Sequence, residues 1–380
     1  MHAARLGAPD AFGGWYTPRY RSEVLLPMPA SWFPERIPGG RRSRIAAALT
    51  AFALATGCAG NYRLLPRFSA GDGLTWVAPA ASKDVRSLDR WRRSVGPALV
   101  VNKSSTVVDR PVRRMIVVSW NIAVGSADVV AFLRDLRERS GADVPVVLLL
   151  QEAYRKGAAV PVALDGDARF ASRLGFSDSP EPHRQDIATI AETTGLNVYY
   201  APSMRNGSPL SSDEDRGNAI LSSSPLTDLA ALELPFERQR RVAIAATVAG
   251  VSASGEPWRL RVVSAHLDNV AGPRRLWVFG SELARTRQAR ALVTYLADPG
   301  PTVLAGDFNT WFGFSDRAYL ETARAFPRTV TSDRRATFRG LLRLDHVFFR
   351  LPTAWRANSQ RGSSRFGSDH FPLIGTIDLD

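Results

Sequence analysis

The chain has 380 residues, 45% of them apolar and 22% charged, which implies a globular protein with a substantial core: one large domain behind an N-terminal appendage rather than two equal halves. Its net charge of +13 favours anionic partners such as nucleic acid or anionic lipid head groups, yet 46 of the 49 basic residues are arginine (49 − 3 lysines), a bias that a GC-rich genome produces unaided. A single cysteine excludes an intrachain disulfide, and no repeat of 20 to 50 residues is visible, so solenoids and propellers are excluded as well.

Residues 1–40 are rich in glycine and proline, show no sustained period and do not read as a domain; Met28 is an alternative start. Arg41, Arg42 and Arg44 then precede an apolar run from Ile45 to Ala55, too short for a stable membrane-spanning helix and typical of an export signal. It ends in Ala55-Thr56-Gly57-Cys58, which resembles the bacterial lipobox, with Ala55 where leucine is commoner. Residues 1–57 are therefore expected to be an extension and signal peptide. Cys58 is the expected lipidation site, and residues 58–111 a polar, arginine-rich tether. Trp76, Leu88, Trp91 and Ala98 to Val101 are candidates to pack onto the domain. Localisation follows: exported, in the cell envelope, anchored to a membrane on its periplasmic or extracellular face.

From residue 112 the pattern becomes legible. Met115 to Trp120 reads as a buried strand. Ala127 to Arg139 reads as an amphipathic helix with Val129, Phe132, Leu133 and Leu136 on one face and Ser126 as N-cap. Val146 to Leu150 is a strand covered on both faces. Residues 156–183 read as a long loop, followed by a helix over 185–194 and a strand over 197–201. Strands around 219–222, 226–234, 242–248 and 258–264 form a meander. A helix over 276–296 leads to strands at 302–305, 344–349 and 372–377. Strands interleaved with helices on both sides, plus an antiparallel meander, predict an α/β fold of two packed mixed β-sheets with helices outside.

The chemistry collects where the apolar runs stop. Glu152 follows Val146 to Leu150, and a carboxylate there suits a hard cation. Asp307 and Asn309 stand two apart after Gly306, which allows a sharp turn; in an extended segment both would face one way, the carboxylate activating or protonating an oxygen and the amide donating to a phosphoryl oxygen. His266 ends one strand, and Asp369-His370 with Asp345 fits an imidazole oriented by a carboxylate. His346 should face away.

Taken in order, Ser119-Trp120-Asn121-Ile122, Leu150-Gln151-Glu152, Gly217 to Ser222, Ser264-Ala265-His266-Leu267-Asp268, Gly306-Asp307-Phe308-Asn309, Leu344-Asp345-His346-Val347 and Ser368-Asp369-His370-Phe371-Pro372 resemble the motifs of the endonuclease/exonuclease/phosphatase superfamily over residues 112–380. The resemblance implies a four-layered α/β sandwich of two packed mixed β-sheets flanked by helices, and metal-dependent hydrolysis of phosphoester bonds, with Mg²⁺ as cofactor and Mn²⁺ as the alternative. Glu152, Asn121 and Asp369 would be at the metal. Asp307 and Asn309 would handle water and phosphate, and His370, held by Asp345, would be general base or phosphate ligand. His266 would stabilise phosphoryl charge, and Asn218, Asp268 and Arg361 would meet the substrate. The expected partner is a phosphoester, with nucleic acid favoured by the basic charge, and the expected state a monomer. The alternatives are a sphingomyelinase-like lipid or inositol phosphate phosphodiesterase or phosphatase, and a non-catalytic surface binding protein on the same fold. Arg287-Gln288-Ala289 also resembles secreted members, with packing as its default role.

Overall fold

The computed structural model describes residues 64–379 apart from 71–72, 104–109, 163–182, 207–211, 270–276 and 330–332. In chain order the elements begin with β1 (Leu64–Ala70), β2 (Leu74–Pro79), α1 (Ser82–Arg92), β3 (Leu99–Val101), β4 (Pro111–Val112), β5 (Arg114–Asn121), α2 (Val129–Ser140), β6 (Val146–Lys156) and α3 (Ile187–Thr194). There follow β7 (Asn197–Asn206), β8 (Glu214–Ser222), β9 (Thr227–Glu233), β10 (Val242–Ser252), β11 (Pro257–His266) and α4 (Trp277–Tyr295). The last are β12 (Thr302–Asp307), a 3-10 turn (Gly313–Ser315), α5 (Arg317–Ala325), β13 (Asp345–Arg350), β14 (Arg356–Arg361) and β15 (Leu373–Asp378).

The strands form two mixed sheets. One runs β1-β2-β9-β10-β11-β12-β13, with β4 on β10; the other runs β14-β15-β5-β6-β8-β7-β3. Side-chain alternation builds the layers. Met115 and Val117 of β5, with Val147 and Leu149 of β6, meet Ile244, Val262, Val303 and Phe349 between the sheets. The intervening Ile116, Val118 and Trp120, with Leu148 and Leu150, pack on Phe132, Leu133 and Leu136 of α2 and Ile187 and Ile190 of α3. On the far side, Val263, Leu304 and Phe348 pack on Ala289 and Leu292 of α4 and Ala318 of α5. The order helix, sheet, sheet, helix is the four-layered sandwich expected.

The expected tether differs most. β2 pairs parallel with β9, and β3 pairs antiparallel with β7. Leu74 and Trp76 lie in the core between the sheets. Arg92 of α1 pairs with the buried Glu233. Residues 64–101 therefore supply strands to both sheets, and the folded domain starts before residue 112. β1 pairs with the adjacent β2, but β2 joins its sheet through Thr75 opposite Ala230 and β3 joins the other through Leu99 opposite Tyr200, so no local period announces these pairings. Two later elements also escaped the pattern. In α5 only Ala318 and Thr322 are buried, and in the edge strand β14 only Ser359 is. The cap of α2 is Asp128, whose carboxylate accepts from Ala131 N at 2.9 Å, rather than Ser126. Cys58 and the signal-like stretch lie outside the described residues.

Candidate active site

Strand register brings the polar clusters to one rim. The parallel pair β5 and β6 sets Asn121 opposite Gln151, and the parallel pair β11 and β12 sets His266 opposite Asp307. β13 runs antiparallel to β12, so its first residue, Asp345, lies opposite Asp307. The two sheets are then joined by polar contacts. Asn121 Nδ2 donates to Asp307 Oδ2 at 3.0 Å. Gln151 Nε2 donates to Ser264 Oγ at 3.0 Å, and Ser264 Oγ to Leu150 O at 3.1 Å.

His370 enters this rim from the loop before β15. Its Nδ1 is 2.8 Å from Asp345 Oδ2, and its Nε2 is 3.8 Å from Asp307 Oδ2 and 4.0 Å from Asp369 Oδ1. The loop is fixed from three sides: Trp120 Nε1 donates to His370 O, Ser368 Oγ donates to Asn121 O, and His370 N donates to Ser368 Oγ. His266 Nε2 is 3.5 Å from Asp307 Oδ2. Asn121, His266, Asp307, Asp345, Asp369 and His370 therefore converge. His346 faces the other way, packed against Phe308 and Tyr319 with Nε2 2.7 Å from Thr310 Oγ1.

Several expectations need correction. β6 does not stop before Glu152; it continues to Lys156 through an irregularity between Leu150 and Ala153, where Glu152 takes a left-handed φ of 53°. A bulge of this kind re-aims one side chain in a strand, and a non-glycine residue in that region is strained. Asn309 is not in extended backbone, having φ of 50°; its N donates to Asp307 Oδ1 and its Nδ2 to Leu267 O, so one amide hydrogen is committed to the protein. Gly306 is needed for close approach rather than for a turn. At φ of 157°, an added Cβ would stand 1.8 Å from the Ala265 carbonyl oxygen.

Asp268 is fully buried and does not face a substrate: its Oδ2 accepts from Arg238 N and Gln239 N, fastening the turn before β10. Gln288, in the stretch read as packing, accepts from Asp268 N at 2.8 Å and donates to Pro235 O. Arg361 is held outside the cluster; its N donates to Asp333, its Nη1 donates to Ala336 O, and its guanidinium stacks 4.0 Å from the centre of the Phe371 ring. Asn218 ties the sheets together by donating to Val242 O and Ser264 O, while also lining a small cleft with Glu152 and His266. Trp120, Gln151 and Ser264 stand inside the quoted motifs, yet spacing alone did not mark them as supports, because an indole or amide that braces a loop leaves no periodic signature.

The model of the Endonuclease/Exonuclease/phosphatase family matches residues 118–370, about two thirds of the chain and every converging residue. This chain belongs to that family. Among curated relatives, a UPF0294 protein of Vibrio parahaemolyticus is 38% identical over 99 residues, covering 25% of this chain and 34% of the relative. One from Vibrio vulnificus is 34% identical over 97 residues, covering 24% and 33%. The match thus spans about a third of the length of these relatives. Among solved structures, an endonuclease/exonuclease/phosphatase from Beutenbergia cavernae is 19% identical, with a TM-score of 0.48, covering 70% of this chain and 72% of that one.

Members of the endonuclease/exonuclease/phosphatase family generally hydrolyse phosphoesters with a divalent metal, which needs carboxylates that are not already committed to the protein. Glu152 and Asp369 each have an arginine near, Arg216 at 3.7 Å and Arg339 at 3.6 Å, both beyond hydrogen-bond length. Burial raises Asp369 above the ordinary carboxylate range, and Glu152 pushes it further the same way. Glu152 is close enough to act on Asp369, and carboxylate oxygens of this kind, with the amide oxygen of Asn121, are the donors a hard cation takes. Asp307, Asp345 and His370 also offer ligand atoms within 4.8 Å of one another. There, however, Nδ1 is already bonded to Asp345, which makes the trio an oriented imidazole rather than an open cage.

Electrostatics differentiates the remaining groups. Burial and the adjacent Asp345 push Asp307 up to about 7, against the pull of His370 and the hydrogen bonds from Asn309 and Asn121. Burial opposes charge on His370, but Asp345, by charge and hydrogen bond, with Asp307 and Asp369, carries it up to about 10. Burial, Arg241, His370 and Arg216 together keep His266 well below the usual imidazole range. The two imidazoles therefore differ in charge at neutral pH: His370 a cation, His266 a neutral donor or acceptor.

Proposed function

We propose that this chain is a Mg²⁺-dependent phosphodiesterase of nuclease type, exported and held at a membrane by a lipid on Cys58. The observation that carries the catalytic reading is the convergence on Asp307 of Asn121 at 3.0 Å, His266 at 3.5 Å and His370 at 3.8 Å. Asn121, Glu152 and Asp369 would hold the cation, with Mn²⁺ as its substitute. When bound, it supplies charge neutralisation at a phosphoryl oxygen.

The chain's own groups divide the rest of the work. His370, fixed by Asp345, presents Nε2 to the phosphate as a charged hydrogen-bond donor. His266 offers a second, neutral ring nitrogen to the same oxygens. Asp307 stands where a water attacking the phosphorus would give up its proton, held by Asn121 and by the backbone N–H of Asn309. Asn309 retains one amide hydrogen for a phosphoryl oxygen.

The test is purified protein with and without Mg²⁺ against plasmid DNA, abasic DNA, sphingomyelin and inositol phosphates. Metal-dependent cleavage of DNA, lost in Glu152→Ala and His370→Ala, supports the reading; full activity in both variants sinks it, and activity confined to sphingomyelin or inositol phosphates replaces nuclease by a headgroup phosphodiesterase. Export and anchoring rest on the signal-like run and Ala55-Thr56-Gly57-Cys58. Radiolabelled palmitate fed to expressing bacteria should label the chain, and Cys58→Ser should abolish the label.

A further inference from the structure

The loops at the rim carry a surface pattern that hydrolysis does not explain. The turn over residues 338–342 sits directly on the site: Arg339 N donates to Asp369 O at 2.8 Å, and the Phe338 ring stands 4.9 Å from that of His370. Leu341 in this turn is 75% exposed, the most of any large apolar side chain among the described residues. Phe312, 46% exposed, is on the adjoining loop, where Thr310 Oγ1 donates to Arg343 O.

Arginines surround these apolar tips. In the rim connections 235–241, 309–316, 333–344 and 362–369, every exposed charged side chain is an arginine: Arg238, Arg334, Arg335, Arg339 and Arg365. Arg334 and Arg365 lie over the Phe314 and Phe371 rings, at 5.4 and 5.7 Å. Asp128, exposed further along the rim, is spent capping α2. The connections 141–145, 253–256 and 297–301, at the opposite end of the sheets, expose Asp143, Glu256 and Asp298 instead. Asp143 and Asp298 pair there with Arg110 and Arg261. Apolar tips among arginines suit the surface of a bilayer, where the side chain enters the acyl boundary and the guanidinium groups meet anionic head groups. A nucleic acid would use the arginines and leave Leu341 in water.

The path of the chain points the same way. Ser264, just before His266, lies opposite Ile244, and Val242 lies opposite Glu233. β2 runs parallel to β9, with Val77 opposite Leu232, and Leu64 lies opposite Pro79. The backbone therefore enters β1 at the same end of the sheet as His266. Cys58 is six positions earlier (64 − 58), a reach of at most about 20 Å, so a lipid on it tethers this end of the sheet rather than the acidic one.

We infer that these loops form a docking face for an anionic lipid bilayer, with Leu341 and Phe312 entering the interface and the arginines on head groups. What is hydrolysed there rests on the phosphodiesterase reading above; the docking does not.

The test uses the full chain with Cys58→Ser, which removes both the lipid and the native thiol. A polarity-sensitive dye is placed on Leu341→Cys, on Phe312→Cys or, at the opposite end, on Ser254→Cys, the last controlling for adsorption through the apolar run at residues 45–55. Phosphatidylcholine vesicles containing phosphatidylglycerol should shift the emission of the first two dyes to the blue and leave the third unchanged. Arg334→Gln and Arg365→Gln should each raise the vesicle concentration for half of the shift about fivefold. Equal shifts at all three positions, or none at Leu341→Cys, overturn the docking face. So does a shift there with oligothymidylate and not with vesicles, which makes the rim a nucleic-acid surface. Turnover of soluble bis(4-nitrophenyl) phosphate separates the two readings, and Leu341→Ser should keep it. An inactive chain that still shows the shift sinks the phosphodiesterase reading and leaves the docking face standing; an active chain with no shift does the reverse.

Discussion

Two clusters of buried charge sit in the same domain and are built on opposite terms. Around Asp215 every acceptor direction is met: Oδ1 receives Arg155 Nε and the Tyr200 hydroxyl, at 3.0 and 2.7 Å, and Oδ2 receives Arg155 Nη2 and Gly96 N, at 2.6 and 2.9 Å. Around Asp307 the acids outnumber their partners: Asp345 and Asp369 surround one imidazole, Glu152 acts on Asp369, and Asp345 Oδ1 is buried with no hydrogen bond among the described residues. A fully satisfied network rigidifies, whereas a partly satisfied one stores interaction energy for a ligand. The first cluster anchors the segment before β5; the second is where chemistry is expected.

Breaking each cluster should therefore give opposite readouts. The largest effect is expected from Asp345→Asn, which leaves His370 without its orienting charge. Turnover of bis(4-nitrophenyl) phosphate should fall on the order of a thousandfold, with a urea midpoint close to wild type. An equal loss of stability would instead make Asp345 a structural residue like Asp215. Asp215→Ala strands Arg155 in the interior and should lower unfolding free energy by about 3–5 kcal/mol in urea titrations. A change under 1 kcal/mol would show that the Arg155 network is not an anchor. Gly306→Ala forces a methyl against the Ala265 carbonyl and should cost about 1–3 kcal/mol by the same titration while moving Asp307 and reducing turnover.

The smallest expected effect is a pH dependence at Glu237, far less crowded than Asp307. Burial raises its carboxyl from 4.5 to about 6, outweighing its ion pair with Arg287. A folded pKa above the unfolded one means that the native state holds the extra proton, so this contribution is complete below pH 4.5 and is lost as pH rises through about 6. At most about 2 kcal/mol is involved. Glu237→Gln should flatten wild-type stability between pH 4 and 7, measured by urea midpoints; an unaltered slope would refute the assignment.

Much of this architecture was legible because buried strands such as Val146 to Leu150 announce themselves as continuous apolar runs, and because the polar residues ending them share a register. Less legible were features fixed by distant partners. Thr75 pairs with Ala230 and Leu99 with Tyr200, and neither segment carries a period that predicts this. The left-handed backbone of Glu152 and Asn309 also left no trace in spacing, since only a φ angle distinguishes a bulge from a strand end. Asp268 and Arg361 were plausible substrate contacts by position alone; burial and bonds from backbone N–H groups commit Asp268 elsewhere, and a bond to Ala336 O holds Arg361.

The hydrogen bond from Ser368 Oγ to Asn121 O spans 247 positions, and β15 lies between β14 and β5 within its sheet. At a synthesis rate of roughly 5–20 residues per second, Asn121 is translated about 12–50 s before the residues that complete the rim. A growing polypeptide on the ribosome holds its early motifs apart from His370 throughout that interval. A site so ordered is complete only once residues 368–370 have been translated and have folded back on β5.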